Sequence, residues 1–478
     1  MGISILCVCV MTAPGAQRSV PIVPKPRVVV DLGGTVAYQP GQTAIRLAVR
    51  DSAAVMPAIA DLCTTSVVLY GGVPSSGGKG RLVVHVGVFG DDPAFDRLCA
   101  SKGLKGEERL GDEGYHLSID PGAIVVAGRT SRGAFYGLQS FHQLLRASSS
   151  AKGKLPAVRI TDWPDLRVRA VMDDISRGPV PTPAYFRQQI RRCAEMKVNT
   201  MCYYIEHVVA TRSHPDFAPP GGAVSIDEWK EIAAYARSYH IDLIGNFQSF
   251  GHFDKILATP RYAHLGDSKS LLSPALDESY AFLREIYQEM VPAFSSRYFN
   301  VNCDETFDLG RGRSKALVDS LGKGVVYLNH VLRLREILQS LGVRMIIWGD
   351  ILLEHPEMID RVPKDVVIGT WTYDSLADFR RYITPFTSRG LDVLVTPGVL
   401  NSLNVMPNFR QSFANIRRFV QAGVAEQVMG ALMTVWDDGG NAQFQRDWYG
   451  VAFAADQMWH SDTLDTTFPQ RFDVALYG

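Results

Sequence analysis

From Arg169 almost to its C-terminus, the chain repeats one unit: a short apolar run, a polar or aromatic cluster, then a helical stretch. The apolar runs are 169–176, 199–207, 241–252, 298–305, 343–350, 365–374, 392–398 and 430–438. Helix-like spacing of apolar residues fills intervening segments such as 183–197, 226–239, 277–292 and 325–341. Eight strand–helix units in succession predict an α/β fold, a (β/α)8 TIM barrel. In that architecture the C-terminal ends of all strands converge on one face, and that face carries the chemistry.

The residues before the repeat read differently. "RLVVHVGVF" (81–89) is a strand, 114–128 is a hairpin around Pro121-Gly122, and 133–146 is an amphipathic helix with Phe135, Leu138, Phe141 and Leu145 on one face. This predicts a small α/β domain over 19–160 ahead of a barrel over 161–478, with the low-complexity stretch "ASSSAKGKLPA" (147–157) as the boundary. The first 18 residues hold an apolar run, Ile3 to Met11, followed by small residues. They resemble a signal peptide, although no Lys or Arg precedes the run. Export to a periplasm or the extracellular space is the corresponding expectation. No later segment is apolar for long enough to span a membrane.

Charge narrows the partners. The chain carries 49 basic and 49 acidic residues with no basic block, which argues against nucleic acid or an anionic membrane as the main partner. Cys63, Cys99, Cys193, Cys202 and Cys303 are scattered without CxxC spacing and read as buried free thiols. No H-x-H or HExxH motif is present, so no metal and no cofactor are expected.

Residues at the predicted strand ends are Asp173, Asp174, Arg177, Glu206, His207, Gln248, His252, Asp304, Glu305, Trp348, Asp350, Trp371, Tyr373, Trp436 and Asp438. Carboxylates beside tryptophans suit carbohydrate, because sugar rings stack their C–H faces on aromatic rings and their hydroxyls need charged partners. A carboxylic acid crowded by other carboxylates has a raised pKa and can protonate a glycosidic oxygen. Three acidic pairs at strand ends, Asp173-Asp174, Asp304-Glu305 and Asp437-Asp438, are expected to face the same region.

At this point the sequence resembles a known family. "EGYHLSIDPGAIVVAGRTSRGAFYGLQSFHQLL", "DWPDLRVRAVMDDISR" and "NVNCDETFDLG" are similar to stretches of the glycoside hydrolase family 20 β-N-acetylhexosaminidases. The resemblance implies an exo-acting, retaining hydrolase of oligosaccharides or glycoconjugates, in which the substrate's own 2-acetamido oxygen attacks the anomeric carbon. Glu305 would then be the general acid/base and Asp304 the partner of the acetamido N–H. Arg177 and Asp438 would bind sugar hydroxyls, and Trp348, Trp371 and Trp436 would wall the acetamido pocket. His252 survives from a motif in which Asn246 and Gln248 replace an acidic pair, and Asn302-Cys303 stand where two glycines are usual. The family's acetamide-binding tyrosine has no clear counterpart, and Tyr373 is the candidate substitute. Two other readings stay open. One is a glycosidase using two separated carboxylates, Glu305 with Asp174 or Asp350. The other is a non-catalytic glycan-binding relative.

Overall fold

The computed structural model describes residues 20–477 except 78–79, 442 and 462–464; residues 1–18, read as a leader, lie outside the described residues. Eight parallel strands close into a barrel: Val168–Asp174, Thr200–Tyr204, Asp242–Asn246, Tyr298–Asn300, Arg344–Trp348, Val367–Trp371, Asp392–Thr396 and Gly430–Val435. Each pairs with the next in chain order, and the eighth returns to the first through the register Gly430↔Val168 to Val435↔Asp173. Every predicted apolar run contains one of these strands. Their near-continuous burial matches strands covered on both faces. The four predicted helices are also present, as Pro183–Glu195, Ile226–Ser238, Asp277–Met290 and Lys323–Ser340.

Among the described residues the N-terminal sheet has seven strands, antiparallel from Val28–Ala37 through Lys154–Asp162, Tyr115–Asp120 and Ala123–Gly128, and parallel beyond. Two expectations change here. The stretch 147–157 is not a boundary, because the strand Lys154–Asp162 begins inside it and pairs on both sides within this sheet. The passage to the barrel is the short connection 163–167. The helix Ser131–Ala147 is not one-sided either: every residue from Gly133 to Leu145 is buried. One face lies on the sheet, where Gly137 leaves room for Val126 and Tyr115, and the other meets the barrel helix Pro183–Glu195. Gln143 exchanges hydrogen bonds with the backbone of Val23 and donates to the carbonyl of Glu195 on the barrel helix.

A buried ion pair crosses the same junction. Nη1 of Arg169, on the first barrel strand, donates to Oε2 of Glu113 at 2.7 Å, and Asn199 Nδ2 donates to Oε1 at 3.0 Å. Each carboxylate oxygen of Glu113 thus accepts a hydrogen bond from the barrel, which ties the two domains at this point. Cys99, Cys193, Cys202 and Cys303 are buried and Cys63 is half-buried, all as free thiols. Among the described residues no helix is long and apolar enough to cross a membrane.

Candidate active site

All nine sequence-predicted site residues line one cavity of about 290 Å³ at the C-terminal ends of the barrel strands: Arg177, His252, Asp304, Glu305, Trp348, Trp371, Tyr373, Trp436 and Asp438. Tyr204 and Ser402 complete the lining, and the sequence reading missed both. Tyr204 could have been found from strand period. Side chains alternate, so Cys202 and Tyr204 face the barrel interior while Tyr203 reaches the helix layer.

The fourth strand ends early, at Asn300, and its geometry explains the departure at Asn302-Cys303. Asn302, Cys303 and Glu305 have φ of 61°, 67° and 50°, so the chain leaves the extended form just before the acids. These are angles that glycine adopts freely, while a non-glycine residue here costs on the order of 1–3 kcal/mol. Asn302 is held by its own side chain: Oδ1 accepts from Trp348 Nε1 at 3.0 Å and from Asn246 Nδ2 at 3.2 Å. Cys303 is buried with Sγ 3.0 Å from Ser249 Oγ. The substituted residues keep a glycine-like backbone path, and with it the placement of Asp304 and Glu305.

Asp304 is buried, and its Oδ1 has no hydrogen-bond partner among the described residues. Glu305 is more open, with 39% of its side chain exposed, and its backbone N–H donates to Asp350 Oδ2 at 3.0 Å. His252 Nε2 lies 3.5 Å from Asp304 Oδ2 and 3.3 Å from Glu305 Oε2, within ion-pair range but not aligned as a hydrogen bond to either. Burial alone would lower the His252 pKa, but the two carboxylates outweigh it and hold the pKa up at about 11. The same imidazolium lowers the pKa of Glu305. The raised pKa expected for this acid is therefore not found, because the neighbouring His252 is a cation.

One consequence is testable. His252→Gln removes the charge that lowers the Glu305 pKa, so the protonated acid persists to higher pH. The alkaline limb of kcat/KM should move upward in the variant, read from a pH profile on chitobiose, whose leaving oxygen needs the proton. An unmoved limb would detach His252 from the acid.

Arg177 is held on both sides. Its Nε donates to Asp174 Oδ2 at 2.7 Å, Nη1 donates to Asp438 Oδ1, and its guanidinium sits 5.0 Å from the ring centres of both Tyr204 and Trp436. Trp371 stacks on Tyr373 at 5.5 Å and 21°. Trp436 Nε1 donates to the Tyr373 hydroxyl at 2.5 Å, which leaves the tyrosine's own proton for an acceptor in the cavity.

Other strand-end residues lie outside the lining. Asp173 points outward to Gln189 Nε2 at 2.7 Å, where burial pushes its pKa up to about 8, so only one member of that pair serves the mouth. Asp437 is likewise absent from the lining, and its backbone N–H donates to Asp174 Oδ2 at 3.1 Å. Asp174 has no exposed side-chain surface and also accepts from Ser176 and Arg177. Asp350 sits beneath Glu305, its pKa raised by burial and by Asp304. Glu206 receives the Tyr204 hydroxyl at 3.2 Å, and Gln248 donates to that hydroxyl. His207 is half-buried, away from the cavity. Among the described residues no group of three or more His, Cys, Asp or Glu could hold a metal ion.

Comparisons with known proteins bear on the family and the fold. Residues 19–163 match the model "Glycosyl hydrolase family 20, domain 2", and residues 168–460 match "Glycosyl hydrolase family 20, catalytic domain". The chain is 22% identical over 384 residues to the β-hexosaminidase subunit alpha of Mus musculus, covering 73% of this chain and 71% of that protein. It is 26% identical over 342 residues to the β-hexosaminidase of Vibrio furnissii, covering 62% of this chain and 54% of that one. The chitobiase structure from Flavobacterium johnsoniae superposes with a TM-score of 0.77 at 18% identity, over 95% of this chain and 72% of that one, which is a likeness of fold. With the catalytic-domain match alone spanning more than half of its length, the chain belongs to glycosyl hydrolase family 20 and is a glycoside hydrolase.

Proposed function

We propose that the protein is an exo-acting, retaining β-N-acetylhexosaminidase that removes terminal GlcNAc or GalNAc from oligosaccharides or glycoconjugates by substrate-assisted catalysis. The observation that carries this reading is Asp304 Oδ1, a buried acceptor without a protein partner that shares one small cavity with Glu305. A buried carboxylate oxygen is costly unless something donates to it, and the N–H of a bound acetamido group would do so.

The steps then follow from the side chains. Asp304 draws the acetamido N–H, which turns the carbonyl oxygen toward the anomeric carbon and stabilises the positive charge of the oxazolinium that forms. The Tyr373 hydroxyl would donate to that carbonyl before attack. Glu305 gives its proton to the leaving oxygen and then takes one from the incoming water. Substrate covering Glu305 strips away its water, and this desolvation raises the pKa that His252 lowers. Arg177 and Asp438 bind outer hydroxyls, and the tryptophans exclude water and confine the ring.

The two-carboxylate alternative fares poorly. Asp174 is saturated by donors and Asp350 is bound beneath the Glu305 backbone, so neither lines the cavity as a nucleophile would. A purely binding role is disfavoured by the intact Asp304 and Glu305. Export, supported by the apolar run at 3–11, belongs to the same reading.

Purified protein should release one monosaccharide at a time from the non-reducing end of chitotetraose, with the β-anomer appearing first by NMR. Release of the α-anomer, or of internal fragments, would refute the proposal. Arg177→Met should raise KM about 10–100-fold, the loss of a charged hydrogen bond worth ~1.5–3 kcal/mol, with a smaller change in kcat. Steady-state kinetics with unchanged KM and kcat would make Arg177 a rim residue only.

A further inference from the structure

Among the described residues from 168 to 460, six large hydrophobic side chains are exposed: Phe307, Leu317, Leu321, Leu403, Val405 and Met406. All six lie in the connections that follow the fourth and seventh barrel strands, on the face where the catalytic cavity opens. The outer ring of barrel helices contributes none of them. Exposed apolar side chains gathered on the one face that carries the cavity suggest an apolar ligand there.

Two of these side chains border the cavity through their neighbours, and Val405 and Met406 follow in the second loop. Phe307 follows the acid by two residues, and its N–H donates to the Glu305 carbonyl at 2.8 Å. Leu403 follows the lining residue Ser402, and its N–H donates to the Asp438 carbonyl at 2.9 Å. Leu403, Val405 and Met406 are 74%, 61% and 56% exposed, and Phe307 is 59% exposed. On the first loop Arg311 pairs with Asp308 at 2.9 Å and Lys315 with Asp319 at 2.6 Å. A cavity of about 290 Å³ falls at the lower limit for small-molecule sites and holds little more than one sugar ring. Whatever is attached to that sugar must extend across the rim.

We propose that Phe307, Leu403, Val405 and Met406 form an apolar platform for the leaving group, and that the preferred substrates carry an alkyl or aryl aglycone rather than a second sugar. The proposal rests on the hexosaminidase reading above. An apolar aglycone lying on the platform removes hydrocarbon from water on both sides, whereas a sugar there would find few hydrogen-bonding partners on these four side chains.

The test uses methyl, butyl and octyl β-N-acetylglucosaminides below micellar concentration. Their leaving alcohols have nearly the same acidity, so chain length reports binding and not chemistry. For the full chain, kcat/KM should rise at least about tenfold from methyl to octyl, mainly through KM, on the basis of about fourfold per fully buried methylene. In the triple variant Phe307→Ser, Leu403→Asn, Met406→Ser the dependence should flatten, with the methyl glycoside and chitobiose cleaved as before. Asn at 403 suits its φ of 59°. Cleavage of the whole series without chain-length dependence would overturn the platform but not the activity. Failure to cleave any N-acetylglucosaminide would overturn the activity reading itself. Equal loss on all substrates in the variant would make the residues structural, and a dimer abolished by the variant without a chain-length effect would assign the surface to a second copy; either result overturns the proposal.

Discussion

Glu305→Gln should lose about 10²–10⁴ in kcat on chitobiose, the usual contribution of a positioned general acid, while substrate binding stays nearly intact. The substitution is close to isosteric. The backbone anchor from the Glu305 N–H to Asp350 does not depend on the side chain, so the amide should occupy the place of the carboxyl. What it cannot do is give up a proton to the leaving oxygen. Aryl glycosides with good leaving groups need little protonation, so their first step should suffer less, and the deficit should grow as the leaving group becomes more basic. A leaving-group series on the two enzymes measures this directly. Wild-type turnover of chitobiose by the variant would remove Glu305 from the reaction.

Asp304→Asn should cost a comparable amount by a different route. The wild-type carboxylate matters most once the acetamido group acquires positive charge, so the loss belongs to kcat more than to KM and should reach about 10²–10³. The site is buried and its Oδ1 has no protein donor among the described residues, so local dielectric screening is weak and the charge acts at close range. His252 should respond as well, because one of the two carboxylates that hold its pKa up at about 11 becomes neutral. Weaker binding of a thiazoline mimic of the cyclised intermediate, with little change for free GlcNAc, would be the matching equilibrium signature. A variant altered only in KM would contradict the assignment.

The barrel was legible because each parallel strand is buried on both faces and so appears as a continuous apolar run, with its functional residues next in line. The site was legible for the same reason, since strand ends share a mouth. Other features depend on contacts distant in sequence. The strand Lys154–Asp162 looked like a linker because its value lies in partners at 28–37 and 115–120. The helix Ser131–Ala147 looked one-sided because the barrel that buries its polar face begins tens of residues later. Asp173 and Asp174 are adjacent, but pleating sends one to the helix layer and the other to Arg177. The lowered pKa of Glu305 depends on His252, more than fifty residues earlier in the chain, and on its φ of 56°, neither of which a motif records. Asn302 departs from glycine in name but not in backbone, and only its bonds to Asn246 and Trp348 make that visible.

The central claim is that the nucleophile belongs to the substrate, and the most direct measurement is kcat/KM for a matched pair of aryl β-glycosides that differ only in the 2-acetamido group. Among the described residues the cavity lining supplies an acid at Glu305 and an acetamide partner at Asp304, while its remaining carboxylate, Asp438, is held by Arg177. The account predicts that the N-acetylglucosaminide is cleaved, that the glucoside is essentially inert, and that a thiazoline binds more tightly than GlcNAc. Comparable cleavage of both glycosides, with no inhibition by the thiazoline, would contradict it.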